Sequence, residues 1–407
     1  MSNQVLTLKY RPQTFDELLV QEHVSDTLSK AIENQRFANA YLFAGPRGVG
    51  KTTTARILAK SLNCLSYNAP TTTPCNKCSA CLEIAASRSM DVLEIDGASN
   101  RGIDQIRELR ENIKYAPSSL RYKVYIIDEV HMLTEPAFNA LLKTLEEPPA
   151  HARFVFATTE AHKVPTTILS RCQRFDFRRA TSSEIADRLR WIAGKEKIKA
   201  SDDALVAVAR RAEGAIRDGE SILEQLATYR PEGIEVKDVE ELLGIVPAEL
   251  FVDYVDLLIK GDIAGLLRFA DRLFERGFDL VEFHSGLVSH LRNILLVQAG
   301  GPVDRLGLLP AERKKLKEQA SAVARAALMQ SLEAVLKAEE SAKRSRLQRV
   351  VFEYLSLDLA ARLSGAGAPA APEPRASHSP RSRPKPKKTE DSGLEDIRDV
   401  FGDIEEN

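Results

Sequence analysis

The sequence feature that most constrains this chain is GPRGVGKT at residues 45–52. It matches G-x-x-x-x-G-K-[ST] in full, with an apolar run before it and an amphipathic run after it. Such a segment predicts a strand, a loop whose backbone N–H groups surround phosphates, and a helix whose N-terminus favours an anion. A glycine-rich strand–helix turn with a chance Lys-Thr is the simpler alternative. We predict a nucleotide site formed by Gly45, Pro46, Arg47, Gly48, Val49, Gly50, Lys51, Thr52 and Thr53.

Within this site two side chains have distinct expected roles. Lys51 supplies a positive charge for the β- and γ-phosphates, and the hydroxyl of Thr52 is a ligand for magnesium. The nucleotide and Mg²⁺ are therefore the first cofactors that the sequence predicts.

Apolar strands and amphipathic helices alternate over the first 179 residues. One strand, at 41–43, precedes the phosphate loop. Further strands are predicted over 90–96, 123–133 and 153–160. Alternation of this kind predicts a parallel sheet with helices on both faces. We expect residues 1–179 to form an α/β P-loop ATPase domain.

Two adjacent carboxylates, Asp128 and Glu129, follow the apolar run VYII. A strand ending there delivers them to the carboxyl edge of the sheet, where ligands bind in open α/β folds. Alone, the pair could be a solvated strand end. Together with the phosphate loop, it predicts that Asp128 holds magnesium and that Glu129 polarises a water for attack on the γ-phosphate.

Four of the five cysteines are clustered in a polar insertion, residues 64–81, with the spacing C-x10-C-x2-C-x2-C. In a reducing compartment this spacing predicts a structural zinc with four thiolate ligands. Two disulfides and free surface thiols are the alternatives. Four protein ligands leave no open position, so we assign the zinc no catalytic role. The ligands are Cys64, Cys75, Cys78 and Cys81.

The overall composition excludes few classes of function. The chain has 57 basic and 58 acidic residues and a net charge of −1, so any nucleic-acid binding must come from a local patch. It contains no run of about 18 apolar residues and no apolar signal-peptide core at its N-terminus. We therefore expect a cytoplasmic protein with no membrane partner.

Helical patterns dominate after Arg179. We predict a small helical domain over 180–243, with three helices that begin at Ser182, and an all-α domain over 244–364. His284 and His290 are interpreted as packing or surface residues. Residues 365–407 are predicted to be a disordered tail, with a short partner-docking helix near the end as the minority hypothesis.

Several motifs occur together and in order, and they resemble one family. The chain is similar to the gamma/tau ATPase subunits of the bacterial DNA polymerase III clamp loader, which are AAA+ proteins, over residues 1 to about 360. The motifs are Tyr10-Arg11-Pro12 with Thr14-Phe15, GPRGVGKT, the four-cysteine insertion, YIIDEVHML, NALLKTLEEPP, ILSRC at 168–172 and GAIRD at 214–218.

The resemblance assigns expected roles to further residues. Thr159 corresponds to the sensor-1 residue, with Thr158, on the opposite strand face, as the alternative. Arg217 corresponds to the sensor-2 arginine of the helical lid. Arg171 corresponds to an arginine finger that enters the neighbouring subunit's ATP site. The expected adenine and ribose contacts are Tyr10, Arg11, Pro12, Val20 and Val24.

The resemblance also implies an activity and its partners. Several copies of the chain, with delta and delta-prime type subunits, would form a pentamer that uses ATP to open the sliding clamp and load it on primer–template DNA. Residues 244–364 would be the oligomerisation collar. Phosphate contacts would bind DNA without sequence preference, with Arg101 and Thr167 as candidates. Polymerisation would reside in another subunit of the holoenzyme, and the short tail resembles the short form of the family.

Two other functions are compatible with parts of this pattern. The first is another AAA+ DNA-remodelling motor, such as a branch-migration helicase subunit, against which the cysteine insertion argues. The second is a structural loader subunit that does not hydrolyse ATP, against which the complete set Lys51, Thr52, Asp128 and Glu129 argues.

Overall fold

The computed structural model describes residues 5–244, 246–301, 310–345 and 347–364. The strands are Ala40–Ala44 (β1), Val92–Asp96 (β2), Lys123–Asp128 (β3), Ala152–Thr158 (β4) and Gln173–Asp176 (β5). The helices up to β5 are Leu6–Lys9 (α1), Glu22–Glu33 (α2), Lys51–Asn63 (α3), Ser79–Ala85 (α4), Ile103–Ile113 (α5), Glu135–Glu146 (α6) and Thr166–Leu169 (α7). Short 3-10 turns lie at Phe15–Glu17, Val130–Met132 and Ala161–Lys163.

The remaining helices follow β5. They are Ser182–Glu196 (α8), Asp202–Arg211 (α9), Ile216–Tyr229 (α10), Val236–Leu243 (α11), Ala248–Lys260 (α12), Ile263–Glu275 (α13), Leu280–Gln298 (α14), Pro310–Ala322 (α15), Arg325–Arg344 (α16) and Gln348–Leu363 (α17). None of the helices in the described ranges is both long and apolar enough to cross a bilayer.

The five strands form one parallel sheet in the order β2-β3-β4-β1-β5. Alternate residues of each strand point to opposite faces, so each face has its own apolar core. One core joins Tyr41, Phe43, Val124, Ile126 and Val155 to Leu28, Ile32, Leu58 and Leu62 of α2 and α3. The other joins Leu42, Tyr125, Ile127, Phe154 and Phe156 to Leu109, Phe138 and Leu141 of α5 and α6. The predicted parallel sheet with helices on both faces is confirmed.

Three predicted strands are shorter than expected at one end. β2 begins at Val92 rather than residue 90, and β4 ends at Thr158 rather than 160. β3 ends at Asp128, because Glu129 adopts a left-handed backbone (φ 46°) and a 3-10 turn follows it. β5 was not predicted at all, since only Phe175 of its four residues is buried and no alternation is long enough to detect.

The helical region after β5 contains four helices over 182–243, where the sequence predicted three. The first of the four, α8, is capped by Thr181 rather than by Ser182. The hydroxyl of Thr181 accepts from the backbone N–H of Glu184, and the Glu184 carboxylate accepts from the backbone N–H of Thr181. This reciprocal pair satisfies two N–H groups that a helix end leaves free.

The described chain divides into two compact units, one formed by residues up to 251 with 273–286, and one formed by 252–272 with 287–364. In the second unit the hydroxyls of Tyr254 and Ser356 lie 2.8 Å apart within an aromatic core that includes Phe269 and Phe352. The domain limits at 179, 243 and 364 stay predictions.

The two histidines singled out in the sequence lie in α14. His284 is buried in the first unit, with Nδ1 2.5 Å from the carbonyl of Leu280. His290 belongs to the second unit, where Nε2 lies 2.8 Å from Oε1 of Gln319. Their contacts are those of packing residues. The predicted tail, 365–407, with its terminal helix lies outside the described residues.

Candidate functional site

The phosphate loop connects β1 to α3 and needs glycine where it approaches other backbone. Gly45 has a φ of +150°, and a Cβ there would lie 2.6 Å from the carbonyl oxygen of Phe177. Gly48 has a φ of +76°, and a Cβ there would lie 2.9 Å from Cβ of Ala215, just before α10. Both positions therefore exclude side chains for two reasons, conformation and space. The second contact places the loop directly against the helical region.

Lys51 begins α3 and turns its ammonium back over the loop. Nζ donates to the carbonyls of Gly45 and Pro46 at 2.8 and 2.7 Å. The side chain is nearly inaccessible, and burial lowers its pKa, whereas the charges of Glu129 and Asp128 oppose that shift. A buried cation at this place attracts anions, and phosphate oxygens are the natural substitutes for its two carbonyl partners.

Thr52 and Asp128 lie in contact, although 76 residues separate them. The Thr52 hydroxyl donates to Oδ2 of Asp128 at 2.6 Å, and Oδ1 accepts from the backbone N–H of Glu129 at 2.9 Å. The hydroxyl at the start of α3 and the carboxylate at the end of β3 are oxygen donors of the kind that Mg²⁺ prefers. The residues thus fit the magnesium site predicted from the sequence.

Glu129 is held by β4. Its Oε2 accepts from the backbone N–H and from the hydroxyl of Thr159, at 3.2 and 3.0 Å. Thr158 instead faces His131, with its hydroxyl 3.0 Å from Nδ1. Of the two candidate sensor residues, Thr159 is therefore the one in contact with Glu129, and it lies just beyond the strand rather than within it.

A cleft of about 620 Å³ joins these residues within the first unit. Arg217, in the first turn of α10, lines the cleft opposite the loop, and its backbone N–H points to the carbonyl of Gly48 at 3.5 Å. The lining also includes Arg11, Pro12, Leu18, Leu19, residues 47–53, Asp96, Asp128, Glu129, Arg188 and Glu220.

Only part of the expected adenine segment lines this cleft. Arg11 and Pro12 do, but Tyr10, Val20 and Val24 do not. The hydroxyl of Tyr10 donates to Glu196, Val20 packs in the core of the helical region, and Val24 is buried beneath the sheet. Their expected contacts with the nucleotide stay predictions.

Arg171 lies away from its own cleft, between α7 and β5. Its guanidinium donates to the carbonyl of Thr167 at 2.7 Å and to Oε1 of Glu146 at 2.5 Å. One third of the side chain (33%) is exposed. The candidates for DNA contact, Arg101 and Thr167, are both exposed as well.

The four clustered cysteines converge although they come from three segments. Cys64 follows α3, Cys75 lies in the insertion, and Cys78 and Cys81 begin α4. The four Sγ atoms all lie within 4.8 Å of one another, and all four thiols are free. Zinc–sulfur bonds of about 2.3 Å would set the sulfurs about 3.8 Å apart in a tetrahedron, so the spacing is compatible with zinc.

The chemistry around Cys75 also favours a thiolate. Its Sγ accepts from the hydroxyl of Ser66 at 3.1 Å and from the backbone N–H groups of Lys77 and Cys78 at 3.4 and 3.3 Å. These donors lower the pKa of Cys75 to about 5, the bond from Ser66 most of all. Burial raises the pKa of Cys81, which a bound cation would offset.

Three family descriptions match successive parts of the chain. Residues 20–181 match the DNA polymerase III delta subunit, 184–229 the ATPase lid domain of the DNA polymerase III clamp loader subunit, and 234–366 domain III of DNA polymerase III subunits gamma and tau. The DNA polymerase III subunit gamma of Buchnera aphidicola is 40% identical over 292 residues, which cover 72% of this chain and 80% of that protein. The chain belongs to the DNA polymerase III gamma/tau family.

Other gamma/tau relatives are longer than this chain. The subunit tau of Bacillus subtilis is 39% identical over 355 residues, which cover 87% of this chain but 62% of that protein. Among solved structures, the RuvB Holliday junction branch migration motor of Thermotoga maritima aligns with a TM-score of 0.45 and 21% identity, over 63% of this chain and 80% of that one. A structural similarity at this level is too low to support an inference.

Sequence reasoning about this gamma/tau chain missed two residues that line the cleft, Arg188 and Glu220, and one that contacts Glu129, His131. His131 lies 3.4 Å from Glu129 Oε2 through Nδ1 and 3.1 Å from Glu160 Oε2 through Nε2. Arg188 and Glu220 form a buried ion pair at 3.2 Å, and Arg188 also donates to the carbonyl of Tyr10 at 2.6 Å. The histidine of DEVH was a usable signal, whereas Arg188 and Glu220 are ordinary helix residues until the fold pairs them.

Proposed function

We propose that this chain is an ATP-driven clamp-loader subunit of bacterial DNA polymerase III, which opens the sliding clamp and loads it on primed DNA during replication in the cytoplasm. The observation that carries the proposal is the distribution of charged groups around one cleft. Lys51, Asp128, Glu129 and Arg217 surround it, whereas Arg171 lies outside it. A cleft so equipped can bind ATP and prepare its hydrolysis, yet it lacks one cation that a neighbour can supply.

Different residues of the cleft perform different parts of ATP hydrolysis. Lys51 exchanges its two loop carbonyls for phosphate oxygens when ATP binds. Thr52 and Asp128 would hold Mg²⁺, which when bound neutralises charge on the phosphates. Glu129 orients and polarises a water, and Thr159 aligns the carboxylate of Glu129 and senses the γ-phosphate. Arg217 reaches the same phosphates from the lid.

Arg171 completes the site of an adjacent subunit. A guanidinium placed against the charge that develops on the transferred phosphoryl group is worth roughly 10³–10⁵ in rate where it has been measured. Arg171 is partly exposed, and its partner Glu146 is half exposed, so the pair can open when another subunit docks. Hydrolysis then depends on assembly.

The remaining parts of the chain serve that assembly. We assign ATP binding to residues 1–179, the lid to 180–243 and the oligomerisation collar to 244–364. Copies of this chain with delta and delta-prime type subunits form the pentamer, and Arg101 and Thr167 contact DNA phosphates. Zinc bound by the four cysteines is structural. The chain itself carries no polymerase chemistry.

The test is ATP turnover by the assembled loader with and without sliding clamp and primed DNA. We expect clamp and primed DNA together to stimulate turnover well above either alone, and hydrolysis to coincide with clamp deposition on DNA. Turnover that neither component changes would contradict the proposal. DNA-stimulated turnover with translocation, but without any effect of the clamp, would indicate a branch-migration motor instead.

A further inference from the structure

A buried lysine lies beside the cysteine cluster. Lys60 is on α3, and only 1% of its surface is accessible. Its Nζ donates to the carbonyl and to the side-chain oxygen of Gln13 and to Oδ1 of Asn76, each at 2.8 Å. All three acceptors are neutral, and the anionic groups whose charges favour the ammonium are Glu17 and the cysteines Cys81 and Cys75. A buried charge of this kind is unfavourable unless an opposite charge lies close by.

The position of Lys60 relative to the cysteines identifies them as one source of that opposite charge, beside Glu17. Cys64 lies four residues after Lys60, one helical turn away on the same face. Asn76, which binds Lys60, is next to Cys75 and has the left-handed backbone (φ 55°) that starts the turn toward Cys78. Burial lowers the pKa of Lys60 to about 8, and the charges of Cys81, Glu17 and Cys75 oppose the shift.

We propose that Lys60 is the buried counter-cation of the zinc site, and that it ties this site to the segment before the phosphate loop. Four thiolates around one Zn²⁺ carry a net charge of about −2, which a buried ammonium in the second shell partly neutralises. Without metal, the charges that favour this ammonium are those of the Glu17 carboxylate and of the cysteines alone. This inference rests on the zinc assignment and is independent of clamp loading.

The second half of the proposal follows from Gln13. Its side chain donates to the carbonyl of Arg11 at 2.9 Å, and its backbone N–H donates to Glu17 at 2.6 Å. Arg11 and Pro12 line the nucleotide cleft. A continuous set of hydrogen bonds therefore runs from Asn76 in the cysteine insertion through Lys60 and Gln13 to the cleft. Zinc should order residues 11–17 through this connection.

The first experiment measures zinc affinity of the full-length protein by competition with a chelator. We expect Lys60→Met to weaken zinc binding about tenfold or more, the range known for partners of metal ligands, and Lys60→Arg to restore most of it. Lys77→Met is the matched control, since Lys77 is exposed within the same loop and should change affinity little. Equal affinity of Lys60→Met and the wild type would overturn the proposal, as would failure of Lys60→Arg to rescue.

Thermal unfolding separates charge compensation from a simple packing defect. Because zinc-bound thiolates add negative charge beside Lys60, zinc should raise the melting temperature of Lys60→Met less than it raises that of the wild type. A variant that loses equal stability with and without zinc would assign Lys60 to packing alone.

Hydrogen exchange tests the connection to the cleft. Chelation of zinc from the wild type should accelerate amide exchange in residues 11–17, and zinc-loaded Lys60→Met should show similar acceleration, whereas Lys77→Met should not. Unchanged exchange in this segment after complete zinc removal would refute the connection.

Discussion

Glu129 has a carboxylate side chain, which can act as a general base. Its backbone adopts the left-handed conformation that non-glycine residues seldom adopt. Its φ of 46° turns the chain out of β3, so the carboxylate points toward Thr159 rather than along the sheet. Nδ1 of His131 lies 3.4 Å from Oε2 of Glu129 and 3.0 Å from the hydroxyl of Thr158. Such conformations persist where the surroundings hold them, and they concentrate at functional sites.

If Glu129 polarises the attacking water, Glu129→Gln should keep nucleotide affinity close to that of the wild type and lower the hydrolysis rate by about 10²–10⁴-fold, because an amide of similar shape cannot accept a proton. Glu108→Gln, on the exposed face of α5, is the control and should leave both quantities unchanged. The measurements are nucleotide affinity and single-turnover hydrolysis in the assembled complex. Hydrolysis within threefold of the wild type would remove Glu129 from this role.

The spacing of residues within recognised motifs was sufficient to predict which of them lie together in the cleft. Lys51, Thr52 and Asp128 lie together as the motif and the strand pattern predicted. The backbone turn at Glu129 was not predictable, since nothing in an apolar run followed by two acids distinguishes a seventh strand residue from a left-handed turn. The contacts of His131 with Glu160 and of Glu220 with Arg188 join residues that are distant in sequence.

At the scale of elements, the contact between the phosphate loop and α10 links the nucleotide to the lid. Gly48 leaves no room for a Cβ next to Ala215, whereas Gly50, also at positive φ (+104°), has nothing within 4 Å of such an atom. The two glycines thus share conformational strain but differ in packing. They form a matched pair for measuring the contact.

Gly48→Ala should therefore lower the melting temperature of the nucleotide-free protein more than Gly50→Ala does. Both variants carry the cost of alanine at positive φ, but only the first adds an overpacked contact, typically about 1–3 kcal/mol. Thermal unfolding checks this difference. Equal destabilisation by the two substitutions would mean that the loop and α10 separate freely.

The start of α8 gives a prediction that depends on pH. Hydrogen bonding from Arg178 is the main reason that the pKa of Glu184 is lowered, from 4.5 to about 2, and the amide of Thr181 adds to it. A carboxylate with a lowered pKa stabilises the fold fully above pH 4.5 and loses that contribution as pH falls toward 2. Glu184→Gln should therefore be less stable than the wild type at pH 6, with a smaller difference at pH 3.

Glu22→Gln is the control for this titration. Glu22 also faces Arg178, but at 3.8 Å and with 72% of its side chain exposed, so it should change the melting temperature little at either pH. A destabilisation by Glu184→Gln that stays constant between pH 6 and pH 3 would show that the amide disrupts the cap by shape, not charge.

Elements with long apolar patterns were predictable, and the short ones were not. β1, β3 and β4 are buried along nearly their whole length, and their alternation with helices predicted the parallel sheet. β5 has one buried residue in four, so its place at the sheet edge comes from pairing with β1. In the helical region, Thr181 could have been recognised as the cap, because Glu184 follows it by three residues.

For the whole molecule, the proposed function divides one catalytic site into two halves that lie apart on the chain. One half surrounds the cleft with Lys51, Asp128 and Glu129, and the other, Arg171, lies on the surface after α7. A chain that carries both halves apart can use them only by pairing with another copy or a related subunit. The sequence indicated this through family resemblance, since an arginine after a short helix has no signature of its own.

The most direct test mixes two inactive variants in the reconstituted loader. Lys51→Ala removes the phosphate contact but keeps Arg171, whereas Arg171→Ala keeps an intact cleft but removes the finger. Each variant alone should assemble, as size-exclusion chromatography will verify, and should hydrolyse ATP far more slowly than the wild type. Mixed assemblies should recover DNA-stimulated ATP turnover, because Lys51→Ala subunits supply Arg171 to the clefts of Arg171→Ala neighbours. Full turnover by Arg171→Ala alone, or no recovery in verified mixed assemblies, would contradict the account.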